Sequence, residues 1–225
     1  MSLFCLVHGS TQDADGWSLL VSELEHAGHK TVCVDLPSDE PTASATRYAA
    51  IIGESLKGCE NAVVVAHSAS GLFLPLVPDY ASVSRLVFLA AVIPQIGKSF
   101  LQQYQASPEM LCPGWAGKDP TKDDDVAMQF LFHDCPPDVA RWALTTRRLM
   151  NAQRALTEVC PLDRWPAVPS SYILCCEDRT LNPAWWRKAA QDRLGGAAIE
   201  LPGGHCPHVS RPRELAEVLV SLPDH

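Results

Sequence analysis

Residues 63–72 read VVVAHSASGL, and this stretch decides the fold prediction. An apolar run with three valines predicts a buried strand, and a helix is predicted directly after Ser68, over Ala69–Tyr80. A serine between a buried strand and a helix is typical of a nucleophile elbow. In such an elbow the serine occupies a strained turn, and the residues two positions away on either side must be small. Here those residues are Ala66 and Ser70, where the usual pattern has glycine at both, so the segment alone is also compatible with a serine-rich helix cap.

Similar short apolar runs recur along the chain and alternate with helical patterns, which predicts an α/β fold with a mostly parallel, six-stranded sheet flanked by helices. The predicted strands are Leu3–Val7, Thr31–Asp35, Ala62–Ala66, Arg85–Ala90, Tyr172–Cys176 and Ala197–Leu201. Besides Ala69–Tyr80, the predicted helices are Trp17–Ala27, Ala45–Lys57, Ala184–Leu194 and Arg213–Leu222.

The alternation stops after Ala90. Residues 94–169 hold nine of the chain's 18 prolines and no good candidate for a parallel strand. Helical patterns do occur there, over Phe100–Gln105, Val126–Phe132 and Val139–Leu156. We therefore expect a core formed by residues 1–93 and 170–225, interrupted by a mainly helical insertion at residues 94–169.

The composition narrows the classes of function. The 225 residues are 47% hydrophobic and 20% charged, which excludes a disordered chain. The net charge of −8 argues against nucleic acid or an anionic membrane as partner. The absence of an 18-residue apolar run argues against a membrane span, and the lack of a secretory signal pattern predicts a cytoplasmic protein.

The nine cysteines are interpreted as reduced, packing residues. Cys5, Cys33, Cys175 and Cys176 lie within apolar strand-like runs. No Cys-x-x-Cys pair and no Cys/His pair has zinc spacing, so neither a metal site nor a cofactor is predicted.

Three further segments place chemistry at the ends of predicted strands. Val7-His8-Gly9-Ser10 follows the first strand, where the backbone amides of Ser10 and Ala69 are candidate donors to an oxyanion. Glu177-Asp178 ends the fifth strand, at the sheet edge where parallel folds place their sites. Gly203-Gly204-His205 follows the sixth, and its glycines would let the loop carry an imidazole across the sheet. His208 is a second candidate base.

Taken together, the order Ser68, Asp178, His205 is the chain order of the α/β-hydrolase triad. The chain resembles the α/β-hydrolase superfamily, and within it the plant methylesterase and hydroxynitrile lyase group and its bacterial relatives. The residues that carry the resemblance are Val7-His8-Gly9, residues 27–32, Val34-Asp35-Leu36, Ala66-His67-Ser68, residues 87–91, Pro94, residues 172–178 and Gly203-Gly204-His205. The resemblance implies Ser68 as nucleophile, His205 as base and Asp178, rather than Glu177, as the residue that orients it. It also implies that the insertion caps the site.

These observations predict a serine carboxylesterase that acts through an acyl-enzyme on a small or medium hydrophobic ester. Trp115, Phe130 and Trp142 of the insertion are the candidate pocket residues, since small-ligand sites are largely apolar. A lyase similar to hydroxynitrile lyases, a lactone, amide or carbon–carbon bond hydrolase, and a small-molecule receptor with low turnover remain alternatives. The only predicted partner is a small-molecule substrate, with no nucleic acid and no membrane. The sequence leaves a homodimer open.

Overall fold

The computed structural model describes residues 1–222, and within them six strands form one sheet. The strands are β1 (Leu3–Val7), β2 (Lys30–Val34), β3 (Ala62–His67), β4 (Val83–Leu89), β5 (Ser170–Cys175) and β6 (Ile199–Leu201). Their order is β2-β1-β3-β4-β5-β6, and every neighbouring pair is parallel. The predicted α/β fold is confirmed, with a sheet that is wholly rather than mostly parallel. Each strand lies within two residues of its predicted position.

Strand β3 lies at the centre of the sheet and is buried along its whole length. Val64 and Ala66 pack into one hydrophobic cluster, whereas Val63 and Val65 pack into another on the opposite face. Side chains alternate between the two faces of a strand, so a strand covered on both faces needs apolar residues at every position. This requirement explains the run of three valines.

Helices cover both faces of the sheet. They are α1 (Ser18–His26), α2 (Ala45–Ser55), α3 (Phe100–Ala106), α4 (Asp124–Phe130), α5 (Pro137–Ala143), α6 (Gln153–Thr157), α7 (Pro183–Leu194), α8 (Pro207–Ser210) and α9 (Pro212–Ser221). Leu20 of α1 and Leu215 of α9 pack on one face, and Tyr48 of α2 and Trp186 of α7 pack on the other. The four predicted helices that correspond to α1, α2, α7 and α9 are confirmed within about two residues at each end.

The predicted helix Ala69–Tyr80 is wrong in type. The structure has two 3₁₀ helices there, Ser68–Leu72 and Leu74–Asp79. Pro75 and Pro78 both fall in the second, and proline has no N–H to donate to an α-helical hydrogen bond. The hydrogen bond from Phe73 N to the Ser70 carbonyl spans three residues, as in a 3₁₀ helix, instead of the four of an α-helix. The serine therefore stands at a short 3₁₀ turn instead of a long α-helix.

Residues 94–169, all of them described, contain helices α3–α6 and two 3₁₀ helices, Pro108–Met110 and Leu144–Thr146, and contribute no strand to the sheet. The predicted helical stretch Val139–Leu156 is broken, because residues 147–152 are not helical. This segment contacts the core through isolated antiparallel bridges, one between Gln12 and Arg147 and one between Leu111 and Leu181. Its status as a separate cap domain stays a prediction.

The cysteines differ from the prediction at two positions. Cys5 and Cys175 are buried, as expected of packing residues. Cys33 and Cys176 are exposed, because β2 is an edge strand and β5 ends one residue before Cys176. All nine cysteines are free thiols in the structure. Burial raises the pKa of Cys5 to about 12, so this thiol stays protonated at neutral pH.

Two further properties bear on function. None of the helices formed by residues 1–222 is long and apolar enough to cross a membrane. Within the same residues, no group of three or more His, Cys, Asp or Glu side chains is arranged to hold a metal ion.

Gly71 provides a test of the packing behind the serine. A Cβ on Gly71 would lie 2.2 Å from the Val92 carbonyl oxygen and 3.0 Å from the Cβ of Ala91. Since that backbone cannot move aside easily, Gly71→Ala should lower the free energy of unfolding by about 1–3 kcal/mol or more. Thermal or urea unfolding measures the change.

The matched control is Gly196→Ala. Gly196 has no atom within 4 Å of the added Cβ and has no positive φ. This variant should be as stable as the wild type, or slightly more stable, because alanine restricts the unfolded chain. Equal stability of Gly71→Ala and Gly196→Ala would contradict the close approach at Gly71.

Candidate active site

The site lies where the strand order reverses. From β1 the chain continues to β2 on one side, and from β3 it continues to β4 on the other. The crevice beyond the carboxyl ends of two such strands is the usual ligand site of an open parallel sheet. Gly9 follows β1 and Ser68 follows β3, and a Cβ on Gly9 would lie 2.8 Å from the Cβ of Ser68. The loop after β1 therefore lies directly against the serine.

Ser68 has a strained backbone, with a φ of +56°. L-residues other than glycine rarely adopt this left-handed region, and such strain is concentrated at functional sites. The surroundings stabilise the conformation. The Ser68 carbonyl accepts a hydrogen bond of 2.9 Å from Val92 N, and the glycine positions Gly9 and Gly71 leave room on two sides. The strain predicted from the residues around Ser68 is present.

The structure brings Ser68, His205 and Asp178 into one hydrogen-bonded chain. Nε2 of His205 lies 3.0 Å from the Ser68 hydroxyl, and Nδ1 lies 2.7 Å from Oδ2 of Asp178. His205 and Asp178 are buried, whereas Ser68 is partly exposed. Because a carboxylate accepts hydrogen bonds, Nδ1 carries the proton and Nε2 is free to accept one from the serine. The arrangement can therefore transfer a proton from Ser68 to His205.

The other oxygen of Asp178 is also fully engaged. Oδ1 accepts hydrogen bonds from the backbone N–H groups of Thr180 (2.7 Å) and Leu181 (3.1 Å), and from the Thr180 hydroxyl (3.0 Å). This Asx-type turn fixes the carboxylate plane. Sequence reasoning missed Thr180, although Asp-x-Thr directly after a strand is a recognisable signal for such a turn.

Two further histidines surround the imidazole of His205. The ring centroid of His67 is 4.6 Å from that of His205, and the ring of His208 is 4.8 Å from that of His67. Burial, with a further contribution from nearby His205, lowers the pKa of His208 to about 3 and holds the pKa of His67 well below its usual range. Both rings are therefore neutral at physiological pH.

Their hydrogen bonds give the two rings structural roles. His67 donates from Nε2 to the His205 carbonyl at 2.8 Å. His208 donates from Nε2 to Oε1 of Gln12 at 3.0 Å, and its ring lies 4.4 Å from that of Trp17. The carboxylate of Asp178 is bound to His205 and not to His208, so the geometry favours His205 between the two candidate bases.

His8 and Ser70 shape the loop after β1. The backbone N–H of Leu36 donates to Nε2 of His8 at 2.9 Å, so Nδ1 carries the proton and donates to the Gly9 carbonyl at 2.7 Å. Asp35, 3.6 Å from Nε2, is therefore not an ion-pair partner. Ser70 is fully buried and donates to the His8 carbonyl at 2.5 Å. This geometry does not favour Ser70 as the nucleophile. The sequence predicted only that a small side chain is needed at this position, whereas the Ser70 hydroxyl also bonds the loop.

The same loop is held from the other side by residues 146–150. Met150 N donates to the Ser10 carbonyl at 2.8 Å, and Arg148 N donates to the Thr11 carbonyl at 3.2 Å. The Arg148 guanidinium also binds Asp35, and this hydrogen bond lowers the pKa of that carboxyl. Ser10 and Ala69 are both partly exposed, and Ala69 directly follows Ser68 in the chain. Their backbone amides as an oxyanion hole stay a prediction.

Two further residues of the segment 94–169 contact the loops that carry Asp178 and His205. Nε2 of His133 lies 3.1 Å from the Glu177 carbonyl oxygen, and the Asp134 carboxylate accepts a hydrogen bond of 2.8 Å from Gly204 N. A Cβ on Gly204 would lie 2.7 Å from Nε2 of His133, so a larger residue there would require this side chain to move. The sequence predicted loop flexibility from the two glycines. In the structure they also permit close approach by this segment.

Two of the three predicted pocket aromatics, Trp115 and Trp142, pack against a hydrophobic cluster that includes Cys206 and Val209, which follow His205. The third, Phe130, has its ring 5.4 Å from that of Trp115. The cluster thus joins residues 94–169 to the helix after the predicted base. Contact with a substrate stays a prediction for all three.

With this geometry in place, comparison with known proteins gives the family. Residues 6–218 match the model of the alpha/beta hydrolase family. The match covers nearly the whole chain, so the chain belongs to this family, as the resemblance in sequence implied.

The sequence identity to individual relatives is low. The chain is 25% identical to Methylesterase 7 of Arabidopsis thaliana over 98% of this chain and 96% of the relative. It is 27% identical to Salicylic acid-binding protein 2 of Nicotiana tabacum over 97% and 96% of the two chains. A crystal structure of polyneuridine aldehyde esterase superposes with a TM-score of 0.80 at 22% identity and covers 98% of each chain. At this identity the superposition shows a shared fold.

The buried His208 predicts an unusual pH dependence of stability. The unfolded chain binds a proton at this histidine below a pH of about 6.5, whereas the folded protein does not until the pH falls to about 3. Acid therefore favours unfolding. At pH 5, His208 lowers the free energy of unfolding by about 2 kcal/mol. His208→Gln should flatten the fall in unfolding free energy between pH 7 and pH 5, as measured by urea titrations.

His26→Gln, which removes an exposed histidine at the end of α1, is the control. It should lose stability in acid as the wild type does. The absolute stability of His208→Gln is expected to fall, so only the slope against pH is diagnostic. An unchanged slope would show that His208 is protonated in the folded protein.

Proposed function

We propose that this protein is a serine carboxylesterase, with Ser68 as nucleophile, His205 as general base and Asp178 as the residue that orients the base. The observation that carries the proposal is the hydrogen-bonded chain from Ser68 through His205 to Asp178, which begins at a serine with a φ of +56°. A strained, partly exposed serine hydrogen-bonded to a histidine that a carboxylate orients is the arrangement that nucleophilic acyl transfer needs.

In the first half-reaction the Ser68 hydroxyl attacks the ester carbonyl carbon while Nε2 of His205 takes its proton. Asp178 keeps the Nδ1 proton in place and stabilises the imidazolium that forms. When the tetrahedral intermediate collapses, His205 gives its proton to the oxygen of the leaving alcohol. Ser68 is left as an acyl ester.

The second half-reaction repeats these steps with water. His205 removes a proton from a water molecule that attacks the acyl carbon, and then returns it to Oγ of Ser68 as the acid leaves. In both halves the negative charge on the former carbonyl oxygen needs two fixed donors. We assign these to the backbone N–H groups of Ser10 and Ala69, because Ala69 directly follows Ser68 in the chain and Ser10 directly follows Gly9, which lies against Ser68.

The substrate class rests on the relatives and on the composition of the segment over the site. The names of two relatives, Methylesterase 7 and polyneuridine aldehyde esterase, support ester cleavage. We propose that residues 94–169 cap the site and that Trp115, Phe130 and Trp142 give the pocket an apolar lining. A small or medium ester with a hydrophobic acyl part fits such a lining.

Labelling with a fluorophosphonate tests the nucleophile. The reagent should modify a single serine, and peptide mapping should place it on Ser68, because among the serines of residues 1–222 it is the one hydrogen-bonded to the His205 ring. Ser68→Ala should abolish labelling and lower kcat/KM on aryl esters by roughly 10⁴–10⁶-fold.

Ser70→Ala is the matched control, two residues away. It loses only the hydrogen bond to the His8 carbonyl, so turnover should fall by no more than about tenfold and labelling of Ser68 should persist. Label on Ser70, or near-normal turnover by Ser68→Ala, would show that the elbow has been misassigned.

A second experiment distinguishes a pocket role from a packing role for Trp115. Trp115→Leu should change the ratio of kcat/KM between an acetate ester and a bulky aryl-acyl ester, because it reshapes an apolar wall while leaving Ser68 in place. Val159→Ala, at an exposed valine of the same segment, is the control and should leave the ratio unchanged. An equal fall on both esters in Trp115→Leu would indicate a packing role.

A further inference from the structure

We infer that Thr180 is a positioning residue that holds the acid and the base of the site in a single geometry; this inference rests on the proposed function. Its hydroxyl lies 2.8 Å from Nδ1 of His205 and 3.0 Å from Oδ1 of Asp178. Oδ2 of the same carboxylate lies 2.7 Å from Nδ1. The hydroxyl therefore closes a ring of three contacts among Asp178, Thr180 and His205.

The direction of each hydrogen bond follows from the chemistry of the groups. Nδ1 of His205 must carry a proton, because a bare nitrogen lone pair would face the carboxylate oxygen at 2.7 Å. The Thr180 hydroxyl then accepts from Nδ1 and gives its own hydrogen to Oδ1 of Asp178. Each donor and acceptor in the ring has a defined role, so the hydroxyl helps to fix the tautomer of His205.

Burial strengthens the effect of the Thr180 hydroxyl on His205. Thr180 is 1% exposed, His205 2% and Asp178 7%. Inside such a site, water is a poor substitute for a missing partner, and hydrogen bonds to charged groups are stronger than those between neutral groups. Because the hydroxyl oxygen also faces the ring that becomes an imidazolium, it should favour the charged intermediate of the reaction over the resting state.

The backbone around Thr180 is fixed independently of its hydroxyl. Its N–H donates to Asp178, its carbonyl accepts from Cys112 N at 2.8 Å, and Leu181 N also donates to Asp178. Removing the hydroxyl should therefore leave the turn intact. The effect should appear in turnover and in the hydrogen bonding of His205, and not in the fold of the turn.

The test compares Thr180→Val, which keeps the shape and removes the hydroxyl, with Thr180→Ser, which keeps the hydroxyl. On an aryl acetate, Thr180→Val should lower kcat by about 10- to 100-fold with little change in KM. Thr180→Ser should stay within about threefold of the wild type. Thr31→Val makes the same chemical change on edge strand β2, where the hydroxyl binds Glu25, and should have wild-type kinetics.

Proton NMR reports directly on the hydrogen bonding of the His205 ring, which should stay unchanged if Thr180 has only a packing role. The Nδ1 proton of His205 should give a resonance far downfield in the wild type and in Thr180→Ser, and that resonance should shift and broaden in Thr180→Val. If Thr180→Val does not fold, Thr180→Ala removes the hydroxyl without a branched side chain and takes its place.

Two outcomes would overturn the inference. One is wild-type kcat together with an unchanged Nδ1 resonance in Thr180→Val. The other is a Thr180→Ser variant as impaired as Thr180→Val, which would point to side-chain shape. The proposed function fails separately, if the wild-type protein hydrolyses no ester and Ser68 takes no label, and the NMR comparison then still decides the role of Thr180.

Discussion

The left-handed backbone of Ser68 is the constraint on which the rest of the site depends. A strand that is buried on both faces ends at this residue, and the chain must turn at once so that the hydroxyl faces the crevice. The turn is sterically possible only because glycines stand at positions 9 and 71, where a Cβ would lie within 3 Å of other atoms. The hydrogen bond from Val92 N to the Ser68 carbonyl then connects the turn to the segment that follows β4. The cost of the strain is thus offset by the packing of the central sheet.

The loops that meet at Ser68 take much of their rigidity from residues 94–169. Met150 binds the loop after β1, His133 lies against the carbonyl that precedes Asp178, and Asp134 binds the N–H that precedes His205. Catalytic groups must be held within a fraction of an ångström, and loops alone rarely achieve this. In the proposed enzyme this segment would therefore have two physical tasks, because the proposed cap would also fix the relative positions of Ser68, His205 and Asp178.

The sequence predicted the sheet well because buried parallel strands have a strong signal, a short apolar run between helical patterns. It also predicted the meeting of Ser68, Asp178 and His205, since parallel strands bring their carboxyl ends to one edge. It was wrong about the helix Ala69–Tyr80, where two prolines outweighed the apolar pattern. It missed the contacts made by Gln12, Thr180 and Asp134, because each joins residues distant in the chain or depends on side-chain direction, and local periodicity carries no information on either.

The histidine cluster links burial to the proposed chemistry. His205 becomes a cation during acyl transfer, and the centroid of the His67 ring is only 4.6 Å from that of its imidazole. A second positive charge at this distance would oppose the cation by about 3–4 kcal/mol at an effective dielectric constant of 20, enough to slow the reaction several hundredfold. Burial prevents this by holding the pKa of His67 well below its usual range. Of the three rings, His205 is the one hydrogen-bonded to a carboxylate, so the positive charge is stabilised where the proposed mechanism needs it.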